Sequence, residues 1–179
     1  GGLQSIQKNL DGGYIIVGTT LDDDIVLYKT DENGNVEWTQ TLGTPTDNEI
    51  GHIIRPTIDG GYIIIGDIEY PNYPTDIYII KTDENGNEEW FKTFGGPFED
   101  DGSSIQQTSD GGYVICGNSI VGYENSDIYL IKTDESGNEI WSQTFGDINN
   151  EIRYDVCSCL QQTSDGGYII VGGSTGITN

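Results

Sequence analysis

Short runs of alternating apolar and polar residues fill this chain, and clusters of Gly, Asn and Asp separate them. The runs are rich in Ile, Val, Tyr, Thr and Trp, which is typical of β-strands. Nowhere does a helical period continue for three turns. The pattern therefore predicts an all-β protein. In one stretch the predicted strands are Ser103–Thr108, Tyr113–Gly117, Asp127–Thr133 and Glu139–Phe145.

Two sequence signatures repeat along the chain. The tetrapeptide DGGY begins at residues 11, 59, 110 and 165, at spacings of 48, 51 and 55 residues. An Asp, an alternating apolar run, Lys-Thr-Asp, a Gly-Asn turn and a Trp recur over 24–38, 76–90 and 127–141. Each repeat thus holds four predicted strands in about 50 residues, which is typical of a β-propeller blade. A single blade cannot bury both of its faces, so neighbouring blades are expected to stack.

We predict one β-propeller segment over residues 1–179, either a partial ring or half of a larger propeller, built of four-stranded antiparallel blades. Three complete blades cover about 3–43, 50–95 and 102–146, and half of a fourth covers about 156–173. In the DGG turn both glycines are free to take positive φ, which suits a tight hairpin between the first and second strands. DENGN and DESGN are predicted to form the hairpin between the third and fourth strands.

The stretch from Tyr129 through Lys-Thr-Asp, Gly-Asn and Trp141 to Gly146 resembles the blade repeat of the quinoprotein-like superfamily, the propellers of the pyrroloquinoline-quinone type. The chain also resembles the DGGY-rich propeller repeats of uncharacterised secreted or surface proteins of bacteria and archaea. In the quinoprotein-like family an Asp, a turn Gly and a following Trp dock one blade on the next. The resemblance, and the recurrence of one Trp at the same point of each repeat, imply docking roles for Trp38, Trp90 and Trp141.

We expect no enzymatic activity from this segment. The cofactor-stacking aromatic, the Ca²⁺ ligands and the catalytic Asp of the quinoprotein-like enzymes have no identifiable counterpart, so no cofactor is expected. The sole histidine, His52, aligns with Gln4, Ser103 and Ser158 on the innermost strand of the blade. It is predicted to be a polar filler of the central channel, with a functional role as the alternative.

Two segments rich in oxygen ligands are candidates for Ca²⁺. Asp31, Asn33 and Asn35 place oxygen atoms at every second residue, as a Ca²⁺ loop does. Asp22 and Asp23 belong to a dense anionic run. The first segment lacks the later bidentate Glu, and Asn-Gly is equally the composition of a hairpin turn. We interpret the segments as a turn and as solvated surface, with Ca²⁺ binding as the alternative.

The three cysteines suggest no disulfide. Cys116 aligns with Val17 and Ile65 and is interpreted as a small buried hydrophobic residue. Cys157 and Cys159 lie two residues apart on one strand, which cannot comfortably close a bridge between them. The cysteines therefore predict neither a metal nor a redox role, and they leave the redox compartment open.

Charge limits the partners of the chain. It has 30 acidic and 7 basic residues, which give a formal net charge of −23. Such a surface repels nucleic-acid phosphates and anionic lipid head groups, and no apolar run approaches the roughly 18 residues of a spanning helix. We therefore expect no nucleic-acid partner and no membrane insertion. The chain opens at Gly1 and contains no Met, so we expect a piece whose native start lies upstream.

The loops on one face of the predicted propeller vary between blades. Loops 67–75 and 118–126 are longer than loop 19–23, and the loops between blades add further variable positions. Tyrosines with scattered acids and an Arg are typical of an adaptable recognition surface. The predicted binding residues are Tyr70, Tyr73, Phe98, Asp100, Tyr123, Arg153 and Tyr154.

We therefore predict a non-catalytic scaffold, extracellular or at the cell surface, that binds a protein or glycan partner through this face. Two alternatives remain open. One is a fragment of a quinoprotein-like enzyme whose active site needs additional blades. The other is a structural, self-assembling subunit whose open strand edge, Tyr168–Gly172, pairs with another copy or with further blades.

Overall fold

The computed structural model describes residues 1–9, 11–120, 125–146 and 153–176, and within them the chain forms strands and no helix. The all-β prediction is therefore confirmed. Those residues also include no helix long and apolar enough to cross a membrane. The strands are β1 (Gly2–Lys8), β2 (Tyr14–Thr19), β3 (Ile25–Thr30), β4 (Val36–Leu42), β5 (Asn48–Pro56), β6 (Tyr62–Glu69), β7 (Asp76–Thr82), β8 (Glu88–Phe94), β9 (Asp100–Gln107), β10 (Tyr113–Ile120), β11 (Ser126–Thr133), β12 (Glu139–Phe145), β13 (Arg153–Gln162) and β14 (Tyr168–Gly176).

The strands pair in chain order as antiparallel meanders. Strands β1 to β4 form one sheet, and β5 to β8 form a second. A third sheet has the order β14-β13-β11-β10-β9, with β12 paired to β11. In this sheet β13 joins β11 through a parallel bridge between Ser126 and Tyr154. The first three repeats thus contribute four strands each, and the last contributes the hairpin β13-β14.

The chain divides into two compact units, residues 1–73 with 78–93, and residues 74–77 with the described residues from 94 onward. In the first unit, apolar side chains of the first and second sheets form one core, which contains Ile15, Val17, Ile25, Leu27, Leu42, Ile54, Tyr62, Ile64, Ile68, Tyr78 and Ile80. In the second unit, a core joins β10 and β11 to the last hairpin and contains Val114, Cys116, Leu130, Cys157 and Leu160. Within each unit, burial of apolar surface therefore holds one repeat to the next.

The repeated tryptophans lie beside these cores. Trp38 packs against the first core, with its ring edge-on to Tyr62 at a centroid distance of 6.2 Å. Trp141 packs against the second core, with its ring centroid 6.0 Å from that of Tyr168. Tyr62 and Tyr168 are the tyrosines of the DGGY turn in the following repeat, so each aromatic pair joins two repeats. Trp90 is half-buried in β8.

The DGG turn departs from the prediction at its second glycine. The first glycine takes a positive φ in every repeat, for example 96° at Gly12. In the first three repeats the second glycine has no room for a side chain; a β-carbon on Gly13, for example, would overlap the carbonyl oxygen of Thr30. The expectation of positive φ at both glycines was therefore wrong, since the second glycine is required by the close approach of the third strand.

Cys116 and Cys157 form a disulfide, with their Cα atoms 6.2 Å apart. The bond links β10 to β13 inside the second core. Cys116 is buried in the core as predicted, but the expectation of no disulfide was wrong. Aligning the repeats compares equivalent positions, whereas this pair joins two positions that are not equivalent, one on the second strand of the third repeat and one on the first strand of the last. Cys159, the third cysteine, is exposed.

The disulfide predicts different effects for two neighbouring substitutions. Cys157→Ser should lower the free energy of unfolding by about 2–4 kcal/mol, because the cross-link no longer constrains the unfolded chain. Cys159→Ser alters an exposed thiol and should leave that free energy unchanged. Urea unfolding followed by tryptophan fluorescence measures both. Three free thiols in the unfolded, non-reduced protein would contradict the bond.

Candidate functional site

The two ends of each sheet carry different chemistry. The hairpin end comprises the turns between the first and second and between the third and fourth strands, at 11–13 and 31–35 in the first repeat. The variable end comprises the connections between the second and third strands and between repeats, at 20–24 and 43–47 in the first repeat. An antiparallel meander places these two sets at opposite ends of its strands.

At the hairpin end, the proposed Ca²⁺ ligands make the hydrogen bonds of a turn. Asp31 Oδ1 accepts from the backbone N–H groups of Asn33 and Asn35 at 2.9 Å and 2.8 Å. Asp31 Oδ2 accepts from the side-chain amide of Asn35 at 2.8 Å. These hydrogen bonds, foremost those from Asn35, lower the pKa of Asp31. Both carboxylate oxygens are therefore occupied within the turn, and Asp83 repeats the arrangement.

A buried lysine ties the DGGY turn of each complete repeat to its third strand. Lys29 Nζ lies 2.6 Å from Asp11 Oδ2 and 2.7 Å from Glu37 Oε2. The equivalent pairs are Lys81–Asp59, Lys81–Glu89 and Lys132–Asp110. Each lysine belongs to Lys-Thr-Asp and each aspartate opens DGGY, so the two signatures recur together because their side chains pair. These paired charged groups at the hairpin end therefore stabilise the fold.

Asp22 and Asp23, the other Ca²⁺ candidates, lie exposed at the variable end. Thr20 Oγ1 organises their turn by accepting from the backbone N–H groups of Asp22 and Asp24 at 3.3 Å and 3.1 Å. Asp23 takes a φ of 60° at the tip of this turn. Over the described ranges, no three His, Cys, Asp or Glu side chains gather as potential ligands of one metal ion.

A β-bulge recurs in the first strand of every repeat and was not predicted. It leaves one residue out of the ladder and redirects its side chain. The bulged residues are Gln4, His52, Ser103 and Ser158. They are the same four polar residues that the alignment of the repeats places at one position of the first strand. A polar residue that recurs within an otherwise alternating strand is the signal from which the bulge could have been found.

The bulges position polar pairs between the first and second strands. His52 Nε2 lies 2.5 Å from Oδ2 of Asp67, which is buried on β6. One repeat later, Asn118 Nδ2 donates to Ser103 Oγ at 3.5 Å, and Asn118 Oδ1 accepts from the backbone N–H of Cys157 at 2.8 Å. The His52–Asp67 pair contains the sole histidine of the chain and keeps a third of the imidazole side chain exposed.

The predicted binding residues are distributed over both units. In the first unit, Tyr73 is 76% exposed, and its backbone N–H donates to the carbonyl oxygen of Tyr70 at 3.3 Å. Tyr70 itself packs against the first core. In the second unit, Phe98 and Tyr154 are partly exposed, and Tyr154 lies within β13, not in a loop. Exposed aromatic surface is therefore present in each unit.

Asp100 corrects the predicted surface. It lies within β9 and is 1% exposed, so it does not belong to an exposed loop. Its backbone N–H donates to the carbonyl oxygen of Thr75 at 2.8 Å, which draws the start of β9 inward. Tyr123 lies outside the described residues. Arg153 contributes its backbone to β13, but its side chain also lies outside what the structure describes.

The fold and its two ends define an all-β repeat protein in which each complete repeat supplies four antiparallel strands. No protein-family model matches the chain. The chain is 27% identical over 199 residues to the regulatory protein FlaEY of Caulobacter vibrioides, an alignment that covers 95% of this chain and 20% of that protein. The chain thus spans a fifth of the length of that relative.

Solved structures support the fold. A Bacteroides caccae protein of unknown function superposes with a TM-score of 0.55 at 10% identity, over 88% of this chain and 50% of that one. The tail fiber of Staphylococcus aureus phage P68 aligns over 99% of this chain and 48% of that one, at 10% identity and a TM-score of 0.34. The first likeness concerns the fold alone, and the second is too low to support an argument.

The hairpin end predicts an unusually acidic carboxyl group. Hydrogen bonds from the Thr108 hydroxyl and the Lys132 ammonium lower the pKa of Asp110 to about 2. Since this pKa lies below the unfolded value, the ionised group favours the fold above that value, and the contribution is lost as the pH falls through about 2. In Thr108→Val the pKa of Asp110 should rise toward its ordinary value of 3.8. Carboxyl ¹³C NMR titration measures the change.

The same titration contains its own control. Asp165 occupies the equivalent place in the last repeat and accepts from Thr163 Oγ1 at 2.5 Å. Its lowered pKa should not respond to Thr108→Val. An Asp110 pKa that stays the same in the variant would show that the hydroxyl does not stabilise the carboxylate.

Proposed function

We propose that this chain is a segment of a β-propeller that serves as a non-catalytic binding scaffold, extracellular or at the cell surface. Its partner, a protein or a glycan, binds at the variable end of the sheets. The observation that carries the proposal is the contrast between the two ends. Charged side chains at the hairpin end pair with one another in the same way from repeat to repeat, whereas the variable end changes and exposes aromatic rings.

The arrangement of strands supports the propeller interpretation. Each complete repeat supplies four antiparallel strands in chain order, which is the composition of a blade. The apolar faces of successive repeats form common cores within each unit, as stacked blades would. The bulged first strands carry the polar side chains that would line a central channel.

The disulfide supports the proposed location. Disulfides form and persist in oxidising surroundings, which include the cell surface and the extracellular space. Cys116 and Cys157 are both buried, so their bond is shielded from exchange with other thiols. The net charge of −23 favours solubility and disfavours polyanionic partners. A neutral glycan or a protein with a basic surface fits this charge.

Exposed aromatic residues should carry the affinity for such a partner. A glycan array and an array of purified secreted proteins, probed with the labelled chain, identify a ligand whose affinity biolayer interferometry then measures. Tyr73→Ala, Phe98→Ala or Tyr154→Ala should weaken binding at least about tenfold, because aromatic anchors dominate interface energetics.

Ile58→Ala is the control, since Ile58 is 91% exposed at the hairpin end. Its affinity should equal that of the unmodified chain. A ligand that is lost with Ile58→Ala and retained by all three aromatic variants would place binding at the hairpin end and refute the proposal.

A second candidate function, self-assembly through the last hairpin, rests on a specific exposure. Ile169 and Val171 of β14 are 55% and 61% exposed. The residues at the equivalent positions of the three preceding repeats are fully buried, namely Ile15, Val17, Ile63, Ile65, Val114 and Cys116. Strand β14 also ends its sheet, so its outer edge offers backbone groups to a further strand. We propose that a second copy of this chain covers this face and edge.

Self-assembly predicts that the chain dimerises with rising concentration and that Val171→Lys abolishes the dimer. Lysine lowers the net negative charge, so the loss cannot arise from added repulsion between copies. Val36→Lys is the matched control, because Val36 has the same 61% exposure on β4. Sedimentation velocity distinguishes the species. A monomer at every concentration would rule out this candidate.

A further inference from the structure

An acidic pair lies at the variable end, where the first repeat connects to the second. The backbone N–H of Glu49, in β5, donates to the carbonyl oxygen of Asp23 at 2.7 Å, which places the start of β5 beside the start of β3. Asp24 Oδ1 and Glu49 Oε2 then lie 2.7 Å and 2.9 Å from one point, the position of a β-carbon built on Gly43. The two carboxylates therefore meet beside Gly43, where a side chain would fill the space.

Glu49 is fully buried, and one of its carboxylate oxygens has no hydrogen-bond partner among the described residues. Oε1 accepts from the backbone N–H of Thr44 at 2.9 Å. Oε2 is buried without a hydrogen bond from any described residue. Burial raises the pKa of Glu49, and the charges of Asp24 and Asp47 raise it further. An uncompensated buried carboxylate is costly, so this pair requires a proton or a cation.

The arrangement recurs one repeat later with a shorter acid. Asp100, equivalent to Glu49, accepts from the backbone N–H of Gly96 at 2.7 Å through Oδ2. Its Oδ1 is buried and has no hydrogen-bond partner within the described ranges. Asp76, the first residue of β7, lies near Oδ2 of Asp100, since a β-carbon built on Gly95 would overlap Asp76 Oδ1 and lie 3.0 Å from Asp100 Oδ2. Burial, together with the charge of Asp100, raises the pKa of Asp76.

The two copies place the same kind of ligand, a carboxylate, at the same position, although the residue type differs. Glu49 and Asp100 differ in length, yet in each side chain one oxygen accepts from a backbone N–H and the other has no donor within the described part of the chain. A third copy is present in part, where Asp127 contacts Gly146 and its pKa is raised by burial and by the charge of Asp155. In the two complete copies, two carboxylates lie beside a glycine, so the kind of ligand is the same although the residues differ.

We propose that the Asp24–Glu49 pair and the Asp76–Asp100 pair each bind one calcium ion. Calcium takes six to eight oxygen ligands from carboxylates, backbone carbonyls and water in irregular geometry. Gly43 and Gly95 are exposed, so water reaches each site and completes the shell. A divalent ion neutralises both charges of a pair, which sodium does not. Magnesium requires near-ideal octahedral geometry and loses its water reluctantly, so it fits these sites less well.

A shared proton is the competing explanation for a close pair of carboxylates. The backbone N–H of Thr44, which donates to Glu49, favours the ionised form of that carboxyl group, which is the form that binds a metal. The net charge of −23 also raises the concentration of cations near the surface. The inference is independent of the proposed partner binding, because it concerns the joints between repeats and not the exposed aromatic residues.

Calcium titration of the full chain tests the proposal. After treatment with a chelator and desalting, isothermal titration calorimetry with calcium chloride at pH 7 should show two sites per chain. Their Kd should be about 10⁻⁴ to 10⁻³ M, the range of extracellular calcium modules. The Tm, followed by tryptophan fluorescence, should rise with calcium. Magnesium chloride at equal concentration should give a smaller rise.

Conservative variants assign the sites. Glu49→Gln should remove one site and leave the other, and Asp100→Asn combined with it should remove both. In chelator, Glu49→Gln should melt above the unmodified chain because the buried charge is gone, and calcium should reverse that order. Asp24→Asn changes the half-buried carboxylate of the first site and so tests that site without altering the buried Glu49. Asp22→Asn, an exposed acid on the same turn, should retain both sites.

Two results would overturn the proposal. Absence of binding heat together with a Tm that calcium does not change would show that a proton holds each pair. Two calcium sites that persist in the Glu49→Gln, Asp100→Asn double variant would place the ions elsewhere.

Discussion

Burial of both faces of a thin sheet is the constraint on which the rest of this structure depends. In β6 the successive residues Ile63, Ile64 and Ile65 are all fully buried. Neighbouring residues of a strand point to opposite faces, so the second sheet is covered on both sides. In β2 the burial alternates, which shows a sheet with one well-covered face. A four-stranded sheet of this composition is stable only beside another sheet, and the aromatic pairs Trp38–Tyr62 and Trp141–Tyr168 form such contacts between repeats.

Once both faces are used for stacking, polar chemistry is confined to the ends and to the bulged strand. The hairpin end is filled by Asx turns and by buried lysines whose charge is balanced by the DGGY aspartates. Within the described ranges, the variable end shows no such recurrent network of lysine ion pairs, and its connections differ in length and in exposed side chains. The bulge adds a third place for variation, since the same position carries His52 beside Asp67 and Ser103 beside Asn118. Difference between repeats, more than any one residue type, separates the candidate site from the scaffold.

Local features of the fold could be predicted because they depend on local chemistry. Alternating apolar residues indicated the strands of the repeats. A glycine with positive φ lies in each type of hairpin turn, as at Gly12 and Gly34. The second DGG glycine could not be interpreted in the same way. A glycine is required there because the carbonyl oxygen of Thr30, on a strand that follows later in the sequence, leaves no room for a side chain.

Features that depend on contacts between repeats could not be predicted. Cys116 and Cys157 are separated by 41 residues and pair because β13 packs beside β10. Asp100 looks like a loop residue because the sequence around it is acidic and glycine-rich. It is buried because its backbone pairs with Thr75, a contact that no alternation of polar and apolar residues reveals.

The buried carboxylates matter because the chain has few basic residues that could neutralise them. Of the 7 basic residues, Lys29, Lys81 and Lys132 are already committed to the hairpin end. Glu49 and Asp100 lie at the other end of the strands, away from those lysines. Oε2 of Glu49 and Oδ1 of Asp100 are buried without a hydrogen-bond partner among the described residues, so we expect a proton or a cation from the solvent to compensate them. Because both residues lie where one repeat is joined to the next, the species that compensates them also stabilises the stacking on which the fold depends.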